Sequence, residues 1–259
     1  MKTQLLKCGF IAALCCATSA ALAQNPFAGT WKVDYAKSHL TGDTMTLSPE
    51  TNGDIHISSD NMSYSAKTDG SATTNPMGDI EHWTKVDNND WKVVTNEGPV
   101  TVTEIYKVTD NGKSLTDTVT GTKPNGDPIN ASSTYARTAP GKGIYGKWRS
   151  TKVSNNSPNT AVIDANGPNG IIWHIPEIKA TVKLNFDGKE VAPEGPTVPH
   201  GLMLAATKSG PRSFKLTEKM NGKLLFTGHY TVSADGKTMT EIGRVPGAAA
   251  STKLVYNKA

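Results

Sequence analysis

The chain has 259 residues with 27 basic and 23 acidic side chains, six histidines and three cysteines. Without Lys2 and Lys7 the balance is 25 basic to 23 acidic side chains, and this near-neutrality argues against a partner held mainly through phosphate contacts, so no nucleic acid is expected. All three cysteines, Cys8, Cys15 and Cys16, precede residue 24, so the rest of the chain has no thiol for a disulfide, a cysteine–metal site or a cysteine nucleophile.

The first element is a leader. Lys2 and Lys7 are followed by an uncharged run from Cys8 to Ala23 that ends in Ala21-Leu22-Ala23 before Gln24. This is the pattern of a secretory signal peptide over residues 1–23, too short in its apolar part to span a membrane. A lipoprotein is the alternative, but Leu14 stands before Cys15 where lipid attachment needs a small residue. The expected location is periplasmic or secreted, and no later stretch reaches membrane-spanning length.

The chain then repeats itself. Phe27-Ala28-Gly29-Thr30-Trp31-Lys32 is echoed by Ile144-Tyr145-Gly146-Lys147-Trp148-Arg149, an offset of 148 − 31 = 117 residues. Asp69-Gly70 returns as Asp187-Gly188, and Tyr106 to Thr116 returns as Tyr230 to Thr240 at an offset of 124. Each copy ends in a tyrosine and a base, Tyr135-Ala136-Arg137 and Tyr256-Asn257-Lys258. Four anchors in one order at nearly constant offset mark a tandem duplication. The Gly- and Pro-containing run 138–143 reads as the linker, which divides the chain into 24–139 and 140–259.

Within each copy the apolar period is two. Met62-Tyr64-Ala66, Val100-Val102 and Ala180-Val182-Leu184-Phe186 alternate with polar neighbours, as half-buried strands do. Asn-Gly and Asp-Gly pairs at 52, 69, 111, 125, 169, 187, 221 and 235 supply the positive φ of tight hairpins, so successive strands pair antiparallel. About eight or nine strands per copy and no amphipathic helix of normal length give an all-β fold of two tandem antiparallel up-and-down β-barrels, about eight strands each. A flat sandwich is the alternative.

Phe27-x-Gly29-Thr30-Trp31-Lys32-Val33-Asp34-x-Ala36-Lys37-Ser38, with the late Asp/Asn-Gly-Lys hairpin and terminal tyrosine, resembles the lipocalin-like domains of bacterial exported proteins. Gly-x-Trp on a first strand is also similar to the entry signature of the calycin group. The second copy departs from the pattern: Gly146-Lys147-Trp148-Arg149-Ser150 lacks the Asp-x-Ala-Lys-Ser tail. The resemblance implies that Trp31 and Trp148 plug the closed end of each barrel. It does not choose between binder and enzyme.

A barrel of this size holds either its own side chains or one small ligand. The inward rows place Tyr64 in copy one and Trp173, Val182 and Phe186 in copy two as candidate ligand contacts, suited to a small apolar or aromatic molecule. The densest polar group is Trp173-His174-Ile175-Pro176-Glu177 with Pro199-His200-Gly201. If these meet over a cavity, His174 or His200 could act as general base with Glu177 orienting it; the other reading makes them solvated rim residues. No histidine spacing is that of a chelating motif, so neither a metal nor a cofactor is expected. Gly141-x-Gly143-x-x-Gly146 lacks the strand before and helix after that a dinucleotide site requires.

The sequence thus points to an exported binding protein that holds a small apolar or aromatic ligand. A lipocalin-fold enzyme of hydratase, cyclase or lyase type and a structural or interaction module with filled barrels are the alternatives. The state of oligomerisation is not encoded in these signals.

Overall fold

The computed structural model describes residues 25–59, 62–97, 100–156, 159–248 and 250–259. The leader read at 1–23, and with it all three cysteines, lies outside the described residues. Nineteen strands and two three-residue 3-10 turns, Asp110–Gly112 and Pro176–Ile178, make up the regular structure of the described residues.

The strands form two antiparallel, nearly closed barrel-like sheets of ten and nine members. Barrel 1 contains β2 (Thr44–Pro49), β3 (Ile55–Ser59), β4 (Met62–Ala66), β5 (Asp69–Thr74), β6 (Ile80–Lys85), β7 (Asp90–Glu97), β8 (Val100–Thr109), β9 (Ser114–Thr122), β10 (Pro128–Arg137) and β11 (Gly146–Asn155). Barrel 2 contains β1 (Gly29–Val33) together with β12 (Thr160–Ala165), β13 (Gly170–Ile175), β14 (Ala180–Asn185), β15 (Leu202–Gly210), β16 (Ser213–Met220), β17 (Lys223–Val232), β18 (Thr238–Arg244) and β19 (Thr252–Lys258). The expected all-β, up-and-down architecture is present, with a period of two along each wall. On β14, Ala180, Val182 and Leu184 are buried while Lys183 and Asn185 are exposed.

Sheet membership does not follow the copies. The two Gly-x-Trp strands cross between the segments read from sequence as copies: β1 lies between β12 and β19, and β11 lies between β10 and β2. Residues 138–143, read from sequence as a linker, belong to the hairpin loop between β10 and β11, closed by Thr138 N donating to Lys147 O at 2.7 Å. Barrel 1 is therefore one continuous segment, and it interrupts barrel 2 between β1 and β12. Glycine and proline mark a turn equally well within a sheet or between domains, so composition alone did not distinguish the two.

The crossing after β1 is held by the very residues that copy two lacks. Asp34 N donates to Val255 O at 2.7 Å, Asp34 Oδ2 accepts from Asn257 Nδ2 at 2.9 Å, and Ser38 Oγ accepts from Val255 N at 3.0 Å. His39 and Lys253 form one further bridge. The segment then lands on β11, where Ser150 Oγ accepts from Gly42 N at 2.8 Å and from Asp43 N at 3.1 Å.

Each exchanged tryptophan plugs its barrel. Trp31 and Trp148 have no exposed surface, and their indole N–H groups donate to Phe27 O at 2.7 Å and Ile144 O at 2.8 Å. Over Trp148 lies the Arg137 guanidinium, 4.0 Å from the ring centre, and over Trp31 the Lys258 ammonium, at 5.1 Å. Gly146 and Gly29, at φ +150° and +137°, are the positions these bases cross; a Cβ there would collide with Arg137 or Lys258. Gly-x-Trp is thus the spacing that admits a base across the ring.

Barrel 2 is closed between β14 and β15 by the segment 187–201. It bridges Thr181 through Glu194 and Leu204 through Val191, with all four backbone bonds at 2.8 Å.

Candidate functional site

The inward rows of barrel 2 differ at its two ends. At the plugged end Phe27, Phe186 and Phe214 meet Trp31, with ring centres 4.9 to 5.7 Å apart among the three phenylalanines. Along β13 and β14 the cross-strand pairs run from Ile171–Leu184 through Trp173–Val182 to Ile175–Ala180. Beyond the first of these pairs the interior opens into a cavity of about 190 Å³.

Trp173, Ala180, Val182, Leu202 and Leu204 form its walls, and Val198 and Pro199 of the closing segment cover it. Trp173 is 7% exposed, and its ring stands edge-on to Tyr230 at 5.3 Å. Its indole N–H is buried without a hydrogen-bond partner. A buried donor left unpaired costs about 1–3 kcal/mol. Glu218 is the only ionisable residue in the lining. Burial, helped by the nearby charge of Glu241, pushes its carboxyl up to about 7.

Behind Glu218 stands an arrangement that both barrels share. In barrel 2, Tyr256 donates to Glu241 at 2.8 Å, and Tyr230, opposite Glu241 across the strands, also hydrogen-bonds it. In barrel 1, Tyr106 is opposite Asp117, and Tyr135 feels the Asp117 charge. Burial and Glu104 raise Asp117 to about 8, and one of its oxygens is buried without a partner. At the mouth of barrel 1 a second carboxylate, Glu81, is saturated: it accepts from Tyr64 Oη at 2.9 Å, Trp83 Nε1 at 2.7 Å and Asn75 Nδ2 at 2.9 Å. Burial and the Glu81 charge hold the Tyr64 phenol far above its usual range.

The residues singled out from sequence are dispersed. Trp173 and Val182 line the barrel 2 cavity, Phe186 belongs to the plug of the same barrel, and Tyr64 belongs to the polar network of barrel 1. His174, one residue from Trp173, has the opposite parity and faces outward, with Nδ1 3.0 Å from Thr181 Oγ1 and Nε2 3.3 Å from Asp164. Glu177 is buried in the 3-10 turn 176–178, close enough to Tyr35 and Lys123 for its charge to act on both. It therefore marks the joint where the first crossing meets the β9–β10 turn. His200 is exposed and lines a separate cleft of about 420 Å³ with the turn 75–79 and Pro196–Pro199. None of His174, Glu177 and His200 lines the barrel 2 cavity. No cluster of three or more metal-ligating side chains occurs among the described residues.

Sequence reasoning missed Glu218, although a signal for it exists. Phe214-x-Leu216-x-Glu218-x-Met220 is an alternating row with an acid at an apolar position, as is Met239-x-Glu241. A carboxyl at such a position is costly unless it has a partner or a function.

Comparison with protein-family models finds no matching family, and comparisons with curated proteins and with solved structures likewise find no match.

Proposed function

We propose that this protein binds a small apolar or aromatic molecule inside barrel 2, after export to the periplasm or the cell exterior, and that its barrels are of the lipocalin-like kind. The cavity beside Trp173 carries this reading. It is apolar on most sides, it is about 190 Å³ in volume, and cavities of about 150 Å³ admit a benzene ring. Glu218, the one ionisable side chain of the lining, offers one polar contact to fix orientation, as small-molecule sites commonly do. Gly-x-Trp with a base across the ring supports the lipocalin-like kinship, and the uncharged run before Gln24 supports export.

Binding is favoured over catalysis by the lining. An acid–base mechanism through His174 and Glu177 needs both groups over the cavity, and His174 instead contacts Thr181 and Asp164. A purely structural module with filled barrels is disfavoured by the cavity itself.

The test is a titration with toluene and with benzyl alcohol, followed through the indole N–H resonance of Trp173. Saturable shifts are expected in the wild-type chain with both probes, since the Trp173 ring lines the cavity. Leu204→Trp, which fills the cavity, should abolish them. Absence of saturable shifts up to the solubility of both probes would overturn the reading.

A further inference from the structure

The acid at the cavity wall narrows the ligand class, and this inference rests on the binding reading above. Glu241 has a structural role, since Tyr256 and Tyr230 satisfy it, and Asp117 fills the same place in barrel 1 at an offset of 241 − 117 = 124. Glu218 has no such counterpart. Phe214 faces Tyr230 as Trp91 faces Tyr106, so Leu216 corresponds to Val93 and Glu218 to Thr95, an offset of 218 − 95 = 123. Barrel 1 thus places a neutral threonine at this position, and its own second acid, Glu104, stands on β8 opposite Val93 and accepts from Tyr106 Oη at 2.8 Å. Among the described residues Glu218 has no hydrogen-bond or ion-pair partner.

No lysine, arginine or histidine lines the cavity. What surrounds the Glu218 carboxyl is one more acid, Glu241, and apolar or aromatic surface. We propose that barrel 2 takes a small apolar or aromatic amine, with its ammonium group on Glu218 and its ring or alkyl body against Trp173, Val182 and Leu204. Glu218 supplies the counter-charge, and the Trp173 ring in the same lining favours a cation over a neutral group.

The chemistry fixes a pH dependence. Glu218 is held up to about 7 by burial and by Glu241. Of the groups around it, β18 contributes Glu241 and β17 contributes Tyr230, whose phenol is raised well above its usual range. From β14, β15 and the closing segment the lining side chains are apolar or hydroxyl-bearing. An ammonium needs Glu218 ionised, so amine affinity rises with pH through about 7 and then levels off, while a neutral ligand of the same shape shows no such rise.

The experiment compares benzylamine, benzyl alcohol and benzoate by calorimetric titration of the full chain at pH 6 and pH 8. Benzylamine is expected to bind at least tenfold more tightly than benzyl alcohol at pH 8. That ratio should shrink severalfold at pH 6 and fall to near one in Glu218→Gln and in Glu218→Thr, with folding of each variant checked by circular dichroism. If benzyl alcohol or benzoate binds as well as the amine, the amine assignment is overturned and the binding reading stands. An amine preference that survives both substitutions overturns the role of Glu218. Failure of all three probes to bind overturns the binding reading as well.

Discussion

Arg137 shows how much a single side chain can organise. Its guanidinium donates to Tyr145 O and Gly143 O, each at 2.6 Å, and to Gly112 O, while its plane lies over Trp148. Three carbonyls from two loops thus converge on one planar cation, a pattern that an ammonium cannot reproduce. Arg137→Lys should therefore cost roughly 1–3 kcal/mol, the scale of losing charged hydrogen bonds, read as a lower urea midpoint. Lys258 at the matching place in barrel 2 sits farther from its ring, and Lys258→Ala should cost distinctly less than Arg137→Ala. Equal losses at the two positions would count against this account. The tyrosine-and-base ending was visible in the sequence, and so was the Gly-x-Trp it crosses. Which base crosses which tryptophan was not, because proximity across 117 residues depends on how the strands are dealt between the sheets.

At the level of elements the decisive feature is the exchange of β1 and β11. Since β2 to β11 are contiguous and include the Trp148 plug, a fragment of residues 44–155 contains every strand of barrel 1. It should fold alone, giving a dispersed amide spectrum and a cooperative unfolding transition. Removing residues 1–43 from the whole chain should leave barrel 1 intact and unravel barrel 2, which loses Trp31 and the strand between β12 and β19. Loss of a buried tryptophan alone costs about 3–5 kcal/mol, a large fraction of a domain's stability. A disordered 44–155 fragment would refute this division. The hairpin pairs at 52, 111, 125, 221 and 235 were readable because Asn-Gly and Asp-Gly supply backbone geometry locally; Asn221 and Gly222 do so at φ +50° and +81°. Asp187-Gly188 has the same local chemistry, yet the chain continues into the segment that closes the barrel.

The molecule as a whole carries carboxyls that are buried away from cations, and this sets its response to pH. Asp117 is raised to about 8 and Glu218 to about 7, whereas in an unfolded chain both ionise near ~4. Between those values the folded state holds protons that the unfolded state has released, so stability falls as pH rises from about 4 to about 8. Asp34, Asp69, Asp87 and Asp235 are lowered by their hydrogen bonds, so they act in the opposite sense and only on the acid side of that window. The urea midpoint should be higher at pH 5 than at pH 8, and Asp117→Asn should flatten the difference. A midpoint that is higher at pH 8 would show that these carboxyls are ionised in the folded chain.

Periodicity, turn pairs and the repeated Gly-x-Trp determined by themselves that the chain is all-β, antiparallel and built from two similar barrels, since each of these signals is local along the backbone. They also placed Trp173 and Val182 on an inward row. The exchange of first strands, the burial of Glu177 at the joint, the outward turn of His174 and the cavity beside Glu218 were decided only by tertiary structure. A strand encodes which of its faces seeks the core, but which sheet it joins depends on contacts far away in sequence, such as those of Asp34 and Ser38 with Val255 and Asn257.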